Sequence, residues 1–185
     1  MFHRSERLLL RPGWLEDAPE LAARIADEAI VRNLARVPWP YREEHARFWL
    51  SARNSPRTPA FLLTLPHEGG APIIGSCGLH EGPSGDVEIG YWIAREWWGQ
   101  GFATEAVRAV LSVACVLGHR RIHARHAVDN PASGRVLRKA GFVPSGRHMS
   151  IFSEGRASDV IAAEYVAELT GCFGDDNLPP MPQAA

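Results

Sequence analysis

The sequence predicts a single mixed α/β domain, and two observations lead to that fold class. Short apolar stretches typical of strands alternate with segments whose apolar residues recur at helical spacing. Of the 185 residues, 45% are hydrophobic and 22% are charged, the balance of an ordinary soluble globular protein. We therefore expect one domain over residues 1–169, followed by a flexible tail over residues 170–185.

The first half of the chain is predicted to contain a strand, two helices and three more strands. Asp17 is the expected N-cap of the first helix, because Leu21, Ala22 and Ile25 follow it at helical spacing. The two prolines of RVPWPY separate the helices, since proline interrupts regular structure. The predicted strands lie at 5–11, 60–65, 71–79 and 87–93, and the predicted helices at 15–30 and 42–52.

The second half is predicted to contain a helix, a strand, a helix and two strands. The first of these helices follows the sequence WWGQGFATEA, and Gly118 is its expected C-cap. Asn130 caps the second helix with Pro131 in its first turn, and this helix ends at Gly141. The three predicted strands lie at 120–128, 147–153 and 158–169.

Charge and cysteine content restrict the kind of protein. The formal net charge is -1, which gives no general attraction to nucleic acid or to a membrane surface. Three cysteines with no CxxC spacing favour a reduced, cytoplasmic setting over a disulfide framework. No apolar run approaches the ~20 residues of a membrane span, and the N-terminus lacks the apolar core of a signal peptide.

The segment WWGQGFATEA, residues 97–106, has the pattern of a phosphate-binding turn. A strand that ends in a glycine-rich turn and continues as a helix presents unpaired backbone amides, and the helix dipole adds partial positive charge there. Gly99 and Gly101 would let a phosphate approach the main chain closely. A tight turn without a ligand is the alternative. The dinucleotide motif would require a third glycine where Thr104 stands, and a P-loop would require a Lys-Ser/Thr pair that is missing.

Five segments together resemble the GNAT N-acetyltransferases, and most closely the branch that acetylates ribosomal-protein N-termini together with its small-molecule relatives. The segments are RLLLRP, EIGYWI, WWGQGFATEA, DNPASGRVLRKAGF and the closing hydrophobic strand. The resemblance implies the acyl-CoA N-acyltransferase fold, a mixed and strongly bent sheet whose two central parallel strands splay apart. It also implies that acetyl-coenzyme A binds in this opening as the acetyl donor and that a homodimer forms.

The resemblance places the coenzyme pyrophosphate on the backbone amides of residues 98–104. Trp98 stands where the wider family has Gln or Arg, so the main chain rather than side-chain charge is expected to hold the phosphates. The expected cofactor-binding residues are Trp92, Ile93, Trp98, Gly99, Gln100, Gly101, Phe102, Ala103, Thr104, Asn130, Ser133 and Arg138.

Acetyl transfer to an amine requires a base that accepts the amine proton, a hydrogen-bond donor to the oxyanion and a group that accommodates the departing thiolate. Glu88 is the candidate base, because it precedes the turn on a strand face that it shares with Trp92. The backbone amide of Trp92 or Ile93 is the candidate oxyanion donor. Many family members have a tyrosine at the position of Leu137, so that acid is missing here. The resemblance implies instead that Ser133 binds or orients the sulfur of coenzyme A.

Trp14, Trp39 and Tyr41 lie in segments that line the acceptor cleft in relatives, so we expect them to shape the substrate site. His123 and His126 face opposite sides of their predicted strand and cannot converge on a metal, so no metal is expected.

Three functions are weighed. The main hypothesis is an acetyl-coenzyme A-dependent N-acetyltransferase that acts on a primary amine, either a protein N-terminus or a small molecule. A non-catalytic module that binds acyl-coenzyme A and a nicotinamide-binding oxidoreductase domain are the alternatives.

Overall fold

The computed structural model describes residues 1–52, 55–67, 70–82 and 85–169. Within these residues, eight strands form one open sheet. The strands are β1 His3–Arg4, β2 Leu9–Arg11, β3 Ala60–Thr64, β4 Ile73–Glu81, β5 Val87–Ile93, β6 Arg121–Ala127, β7 Val143–Ser153 and β8 Ser158–Glu168. Their order in the sheet is β1-β2-β3-β4-β5-β6-β8-β7. The mixed α/β fold class is therefore confirmed.

Five helices flank this sheet in the described part of the chain. They are α1 Ala18–Ile25, α2 Glu28–Val31, α3 Glu43–Ser51, α4 Phe102–Val116 and α5 Pro131–Lys139. The apolar side of α4 packs with Ile89 and Ile93 of β5 in the largest core cluster, which also contains Leu137 of α5. Helices α1 and α3 share a second cluster with Leu62 and Ile73. The sheet thus carries helices on both faces, as expected for a layered α/β domain.

The central feature of the sheet is the meeting of β5 and β6, its parallel pair. In the described residues these strands pair at a single position, Glu88 with His123. On its other edge β5 pairs with β4 continuously from Val87 to Ile93. The carboxyl-terminal parts of β5 and β6 therefore separate, which is the splayed arrangement that the family resemblance implied.

The N-terminal third differs from its prediction in two places. The strand expected over 5–11 is shortened to β2, Leu9–Arg11, because Ser5 and Leu8 form a turn that follows β1. The helix expected over 15–30 is divided into a 3-10 turn at Leu15–Asp17, α1 and α2. The division occurs at Asp27, whose extended backbone and side-chain bond to the Ala29 amide begin a new helix.

Asp17 occupies the N-cap position of α1, as predicted, but its carboxylate makes no capping hydrogen bond there. Its carboxylate instead accepts two hydrogen bonds of 2.7 Å from Arg11 and one of 2.8 Å from the Trp14 amide. These bonds oppose the effect of burial and hold the pKa of Asp17 below its ordinary value. Arg11 lies on β2, a partner that the local sequence pattern did not reveal.

The second half follows its prediction closely. The C-terminal end of α4 is closed by Gly118, whose φ of +87° is the left-handed conformation typical of a residue that ends a helix. Asn130 caps α5 by accepting a hydrogen bond from the Ser133 amide. The strands β6, β7 and β8 lie within a few residues of their expected bounds.

A segment over residues 32–37, which we call the arch, crosses the sheet on the face of Glu88. On one side it packs with Val31 and with Trp92 of β5. On the other side it bonds to the turn between β7 and β8, where the Glu154 amide donates to the Ala35 carbonyl at 2.9 Å. Since β6 lies between β5 and β8, the arch spans the opening beside β5.

Cys77 is free and buried in β4. No helix in the described ranges is long and apolar enough to cross a membrane. The tail predicted over 170–185 lies outside the described residues.

Candidate functional site

The glycine turn between β5 and α4 forms a row of unpaired amides. Gly99 and Gly101 have φ values of +76° and +85°, a conformation that favours glycine strongly, and Gly101 is the N-cap of α4. The Trp98 amide donates to the Arg95 carbonyl at 3.1 Å. In the described chain no acceptor is found for the amides of residues 99–104, which include Gln100, Phe102, Ala103 and Thr104. These amides and the positive end of α4 make the turn a suitable anion site.

The two tryptophans before the turn fix it to the rest of the fold. The Trp98 indole donates a hydrogen bond of 2.6 Å from Nε1 to the Ile93 carbonyl, which ties the turn to the end of β5. Trp97 packs against the main core, and the Arg24 guanidinium lies 4.9 Å from its ring centroid. Each tryptophan thus holds one side of a turn whose own glycines are conformationally free.

Arg7 and Glu105 lock the same turn from the other side. The Glu105 carboxylate accepts hydrogen bonds of 2.7 Å from the Ser5 hydroxyl, the Arg7 amide and the Arg7 side chain. Arg7 also donates to the Gln100 carbonyl at 3.1 Å and covers the Phe102 ring at 4.2 Å. Sequence reasoning missed both residues; the signal for Glu105 was an acid in the first turn of a helix that follows a glycine turn.

The unpaired amides of residues 99–104, which we call the cradle, and the Arg7 guanidinium adjoin a cavity of about 550 Å³. Gly101 and Thr104 line one wall of this cavity and Arg7 lines another. Arg108 and Lys139 bring two further positive charges to its rim. An anionic ligand on the amides would therefore meet cations as well.

The backbone of Ile93 is directed into the opening between β5 and β6. The Ala94 amide donates to the Ile74 carbonyl of β4, and successive residues of a strand direct their backbone groups to opposite neighbours. The Trp92 amide therefore faces β4, while the Ile93 amide faces the opening. Of the two candidates for an oxyanion donor, only Ile93 has the required direction.

A hydroxyl pair lies on the α5 side of the opening. The Tyr91 and Ser133 hydroxyl oxygens are 2.7 Å apart, and the Tyr91 hydroxyl lies 3.3 Å from the Ser133 carbonyl. Burial raises the pKa of Tyr91 well above its ordinary value. Asn130 presents its Oδ1 to the Ser133 amide at 3.3 Å, and its Nδ2 has no acceptor among the described residues. Tyr91 was not predicted, although EIGYWI places it at the strand end nearest the turn.

Glu88 lies on the opposite face of β5, within a buried group of charges. Its carboxylate forms an ion pair with Arg125 of β6, and Arg125 lies 3.5 Å from Glu164 of β8. All three side chains are 9% exposed or less. Burial raises the pKa of Glu88 above its ordinary value, and the charges of Arg125 and Arg36 oppose part of the rise.

Two histidines complete this group. His80, which lies opposite Glu88 on β4, is 3.8 Å from its carboxylate. Burial, together with the guanidinium groups of Arg36 and Arg125, lowers the pKa of His80 to about 4, so its imidazole is neutral at physiological pH. His123 lies 3.5 Å from Glu164. The group thus places proton-accepting side chains around Glu88. Its positive charge, on Arg125, faces the carboxylates of Glu88 and Glu164.

The close packing around Glu88 depends on glycine. A Cβ atom on Gly82 would collide with the Glu88 carboxylate, and one on Gly90 would lie 3.4 Å from the His80 ring. Gly82 therefore leaves the space that the Glu88 carboxylate occupies, whereas a Cβ on Gly90 would make an ordinary van der Waals contact. Neither was identified from the sequence, because the contact joins residues of different strands.

The three aromatic residues expected to shape the substrate site have different surroundings. Trp14 packs with Phe2 and Arg11 near β1 and β2. Tyr41 lies among the apolar residues beside Trp92, and burial raises its pKa to about 12. Trp39 is 43% exposed. Of the three, Tyr41 is the one that the structure places beside β5.

Arg138 and the histidines have structural partners. The Arg138 guanidinium donates to the Tyr165 hydroxyl at 2.8 Å. His126 packs against the Tyr165 ring, while His123 lies on the Glu88 side of the sheet, as the alternation of side chains along a strand requires. The described residues contain no group of three side chains that could hold a metal ion.

Comparison with known proteins identifies acetyltransferases as the relatives of this chain. A model of the acetyltransferase (GNAT) domain matches residues 7–143. The chain is 30% identical over 147 residues to the uncharacterized N-acetyltransferase p20 of Bacillus licheniformis, which spans 77% of this chain and 82% of that protein. It is 36% identical over 61 residues to the ribosomal-protein-serine acetyltransferase of Escherichia coli (strain K12), which spans 32% of this chain and 34% of that protein.

A solved structure shares the fold. It is RimL, a ribosomal L7/L12 alpha-N-protein acetyltransferase in complex with coenzyme A. The superposition has a TM-score of 0.74 at 20% sequence identity and covers 91% of this chain and 98% of that chain.

Proposed function

The chain belongs to the acetyltransferase (GNAT) family and is an acetyl-coenzyme A-dependent N-acetyltransferase, and from this premise we propose that it transfers the acetyl group directly to a primary amine in a ternary complex. The observation that carries the proposal is the opening between β5 and β6. Unpaired amides lie at its end and Glu88 lies on one of its faces. The acetyltransferase domain in this proposal spans residues 1–169, because β7 and β8 complete the sheet beyond the matched region.

Acetyl-coenzyme A occupies the opening in this proposal. Its pyrophosphate lies on the amides of residues 99–104, where the positive end of α4 stabilises the charge. Its pantetheine arm extends along β5 toward Asn130, whose Nδ2 is available to an acceptor on the arm. The relative RimL, which was solved with coenzyme A, supports this assignment. Arg138 donates one hydrogen bond to Tyr165, and its remaining N–H donors leave it a candidate for a coenzyme phosphate.

The acceptor binds on the face of Glu88, under the arch. The amine lone pair attacks the thioester carbonyl carbon, and Glu88 accepts the amine proton directly or through water. A raised pKa suits this carboxylate to the task, since a base is most effective when its pKa approaches the working pH. The Ile93 amide donates to the oxyanion of the tetrahedral intermediate. The C–S bond then breaks with its electron pair on sulfur, beside Ser133.

The acceptor is a protein N-terminus or a small primary amine. The likeness to the ribosomal-protein-serine acetyltransferase and to RimL supports an N-terminal amine. A screen of peptides with different N-terminal residues, run beside small amines, tests the proposal by detecting coenzyme A release and acetylated product. Acetyl-coenzyme A that binds and stabilises the protein, with no product from any amine, would contradict it.

Replacement of Glu88 by Gln tests the base. We expect kcat at neutral pH to fall by about 10²–10⁴-fold, the usual contribution of a general base, while the Kd for acetyl-coenzyme A stays unchanged. Glu164→Gln is the matched control, since Glu164 also pairs with Arg125 but lies on β8, beyond β6. The control should keep kcat within a few-fold. Equal losses in the two variants would mean that Glu88 is structural.

A further inference from the structure

We propose that Tyr91 is a positioning residue that directs the Ser133 proton toward the departing thiolate. The inference rests on the proposed function, because it concerns the leaving group of the same acetyl transfer. Nothing in the sequence pattern gave Tyr91 this role. It follows from the contact between two hydroxyl groups at the edge of the opening.

The contact joins the two elements that border the opening. Tyr91 is carried by β5, and Ser133 lies in the first turn of α5, directly after β6. The strands β5 and β6 have already separated at this level, because their pairing is found at Glu88 alone within the described residues. The hydroxyl pair therefore crosses the gap in which the thioester would lie.

Each of these hydroxyl groups has one proton, and this count decides the role of Tyr91. If Ser133 donates to Tyr91, the Tyr91 proton can go to the Ser133 carbonyl at 3.3 Å, and no proton of Ser133 remains for sulfur. If Tyr91 donates to Ser133 Oγ at 2.7 Å, the Ser133 proton is free to point into the opening. The Ser133 amide and Asn130 do not alter the count, since Asn130 accepts from the amide and leaves the hydroxyl alone.

The departing thiolate selects the second arrangement. As the C–S bond breaks, its electron pair and negative charge pass to sulfur, and hydrogen bonds to a charged acceptor are stronger than those between neutral groups. Tyr91 keeps its own proton throughout, because burial makes a tyrosinate unfavourable there. Ser133 therefore donates a hydrogen bond to the thiolate, and coenzyme A takes its proton from solvent after release. Tyr91 orients the donor and transfers no proton.

Kinetics of a double-mutant cycle test the inference. Tyr91→Phe should lower kcat by about tenfold, with KM for acetyl-coenzyme A and for the amine within twofold, since the lost interaction forms only as charge develops. Ser133→Ala should show a similar defect. The double variant should be no slower than Ser133→Ala, because Tyr91 acts through Ser133. Multiplied defects in the double variant would overturn the inference.

Two controls separate this role from a structural one. Tyr165→Phe removes another largely buried hydroxyl, which is bonded to Arg138, and should keep the wild-type kcat. Ser133→Thr retains a hydroxyl and should recover most of the activity that Ser133→Ala loses. Loss of kcat in Tyr165→Phe equal to that in Tyr91→Phe would indicate a packing defect.

Binding of coenzyme A gives a readout that does not depend on turnover. The free thiol has a pKa of ~8.5, so titration calorimetry between pH 7 and about 10 follows its ionisation in the complex. The wild type should bind coenzyme A more tightly as the thiol ionises, and Tyr91→Phe should lose this increase while acetyl-coenzyme A binds equally to both. The same pH dependence in both proteins would overturn the inference.

If Tyr91→Phe does not fold, Ser133→Ala undergoes the same titration, and an unchanged increase there also overturns the inference. If the wild type is active and Tyr91→Phe is equally active, the inference about Tyr91 is wrong but the proposed function stands. If the wild type acetylates no amine, the proposed function itself is contradicted.

Discussion

At the scale of the residue, the positive φ of Gly99 makes it a specific test of the cradle. A Cβ at this position would meet no atom of the protein, so the cost of Gly99→Ala comes from the backbone, about 1–2 kcal/mol. The methyl group would also stand where the phosphate approaches. We expect Gly99→Ala to raise the Kd for acetyl-coenzyme A by about tenfold, a loss of roughly 1.4 kcal/mol of binding.

Gly118 supplies the matched control for this prediction. It has a similar φ of +87° and an equally open surrounding, but it ends α4 instead of preceding it. Gly118→Ala should therefore lose comparable stability in thermal unfolding with no change in coenzyme affinity by calorimetry. A similar fall in affinity in both variants would show that the effect of Gly99 is one of general stability.

Arg125 opposes the effect of burial on the pKa of Glu88, so its removal should be visible in a pH profile. Burial raises the pKa of Glu88 and the guanidinium opposes that rise, so Arg125→Gln should raise the pKa further. A base with a higher pKa is ionised only at higher pH. The acidic limb of kcat/KM should therefore move to higher pH, with the loss largest below neutrality and smallest on the alkaline side. An unmoved limb would mean that Glu88 does not control the rate.

At the scale of the element, the cap of α5 and the site chemistry share one residue. Asn130 closes the N-terminus of the helix through the Ser133 amide, so it also fixes the position of the Ser133 side chain. Asn130→Ala should cost about 1 kcal/mol in thermal or urea unfolding and should lower kcat as well. Asp27→Ala removes the corresponding cap of α2 and should cost stability alone. Equal kcat in the two variants would contradict the dual role.

The elements themselves show which information the local sequence carries. The strand VEIGYWI, the helix after the glycine turn and the Asn-capped helix were predicted because each pattern is complete within one segment. The N-terminal strand and first helix were mispredicted because their boundaries are fixed from a distance. Glu105 of α4 holds the turn at Ser5, and Arg11 of β2 takes the carboxylate of Asp17 from its capping position.

The candidate site divides in the same way. The cradle amides, Glu88 and Asn130 could be located from motifs, since a strand, a turn and a helix cap each have a recognisable pattern. The partners Arg125, Tyr91 and Arg7 could not, because they approach the site from other elements of the fold. The role of Trp14, Trp39 and Tyr41 in shaping the substrate site stays a prediction, because a residue's place in the sequence does not fix the direction of its side chain.

At the scale of the whole molecule, the opening between β5 and β6 makes stability depend on the coenzyme. The two parts of the sheet pair at one position there in the described chain, and a ligand on β5, α4 and α5 would join them. Acetyl-coenzyme A at 100 times its Kd should stabilise the fold by about 2.7 kcal/mol, which corresponds to a rise in Tm of about 5–10 °C. Thermal unfolding with and without the ligand measures it, and the shift should shrink in Gly99→Ala at the same concentration. No shift in the wild type would contradict the proposed site.

The arch bears on the size of what could reach Glu88 in the proposed function. Arg156, in the turn between β7 and β8, binds Asp129 through two hydrogen bonds of 2.7 and 2.9 Å and donates to the Arg32 carbonyl at 2.6 Å. The arch is therefore fastened to this turn at Arg32 as well as at Ala35. If the acceptor binds on the face of Glu88, as proposed, we expect a slender chain end to reach the carboxylate more readily than a folded surface. Acceptors would then be selected by cross-section before they are selected by charge.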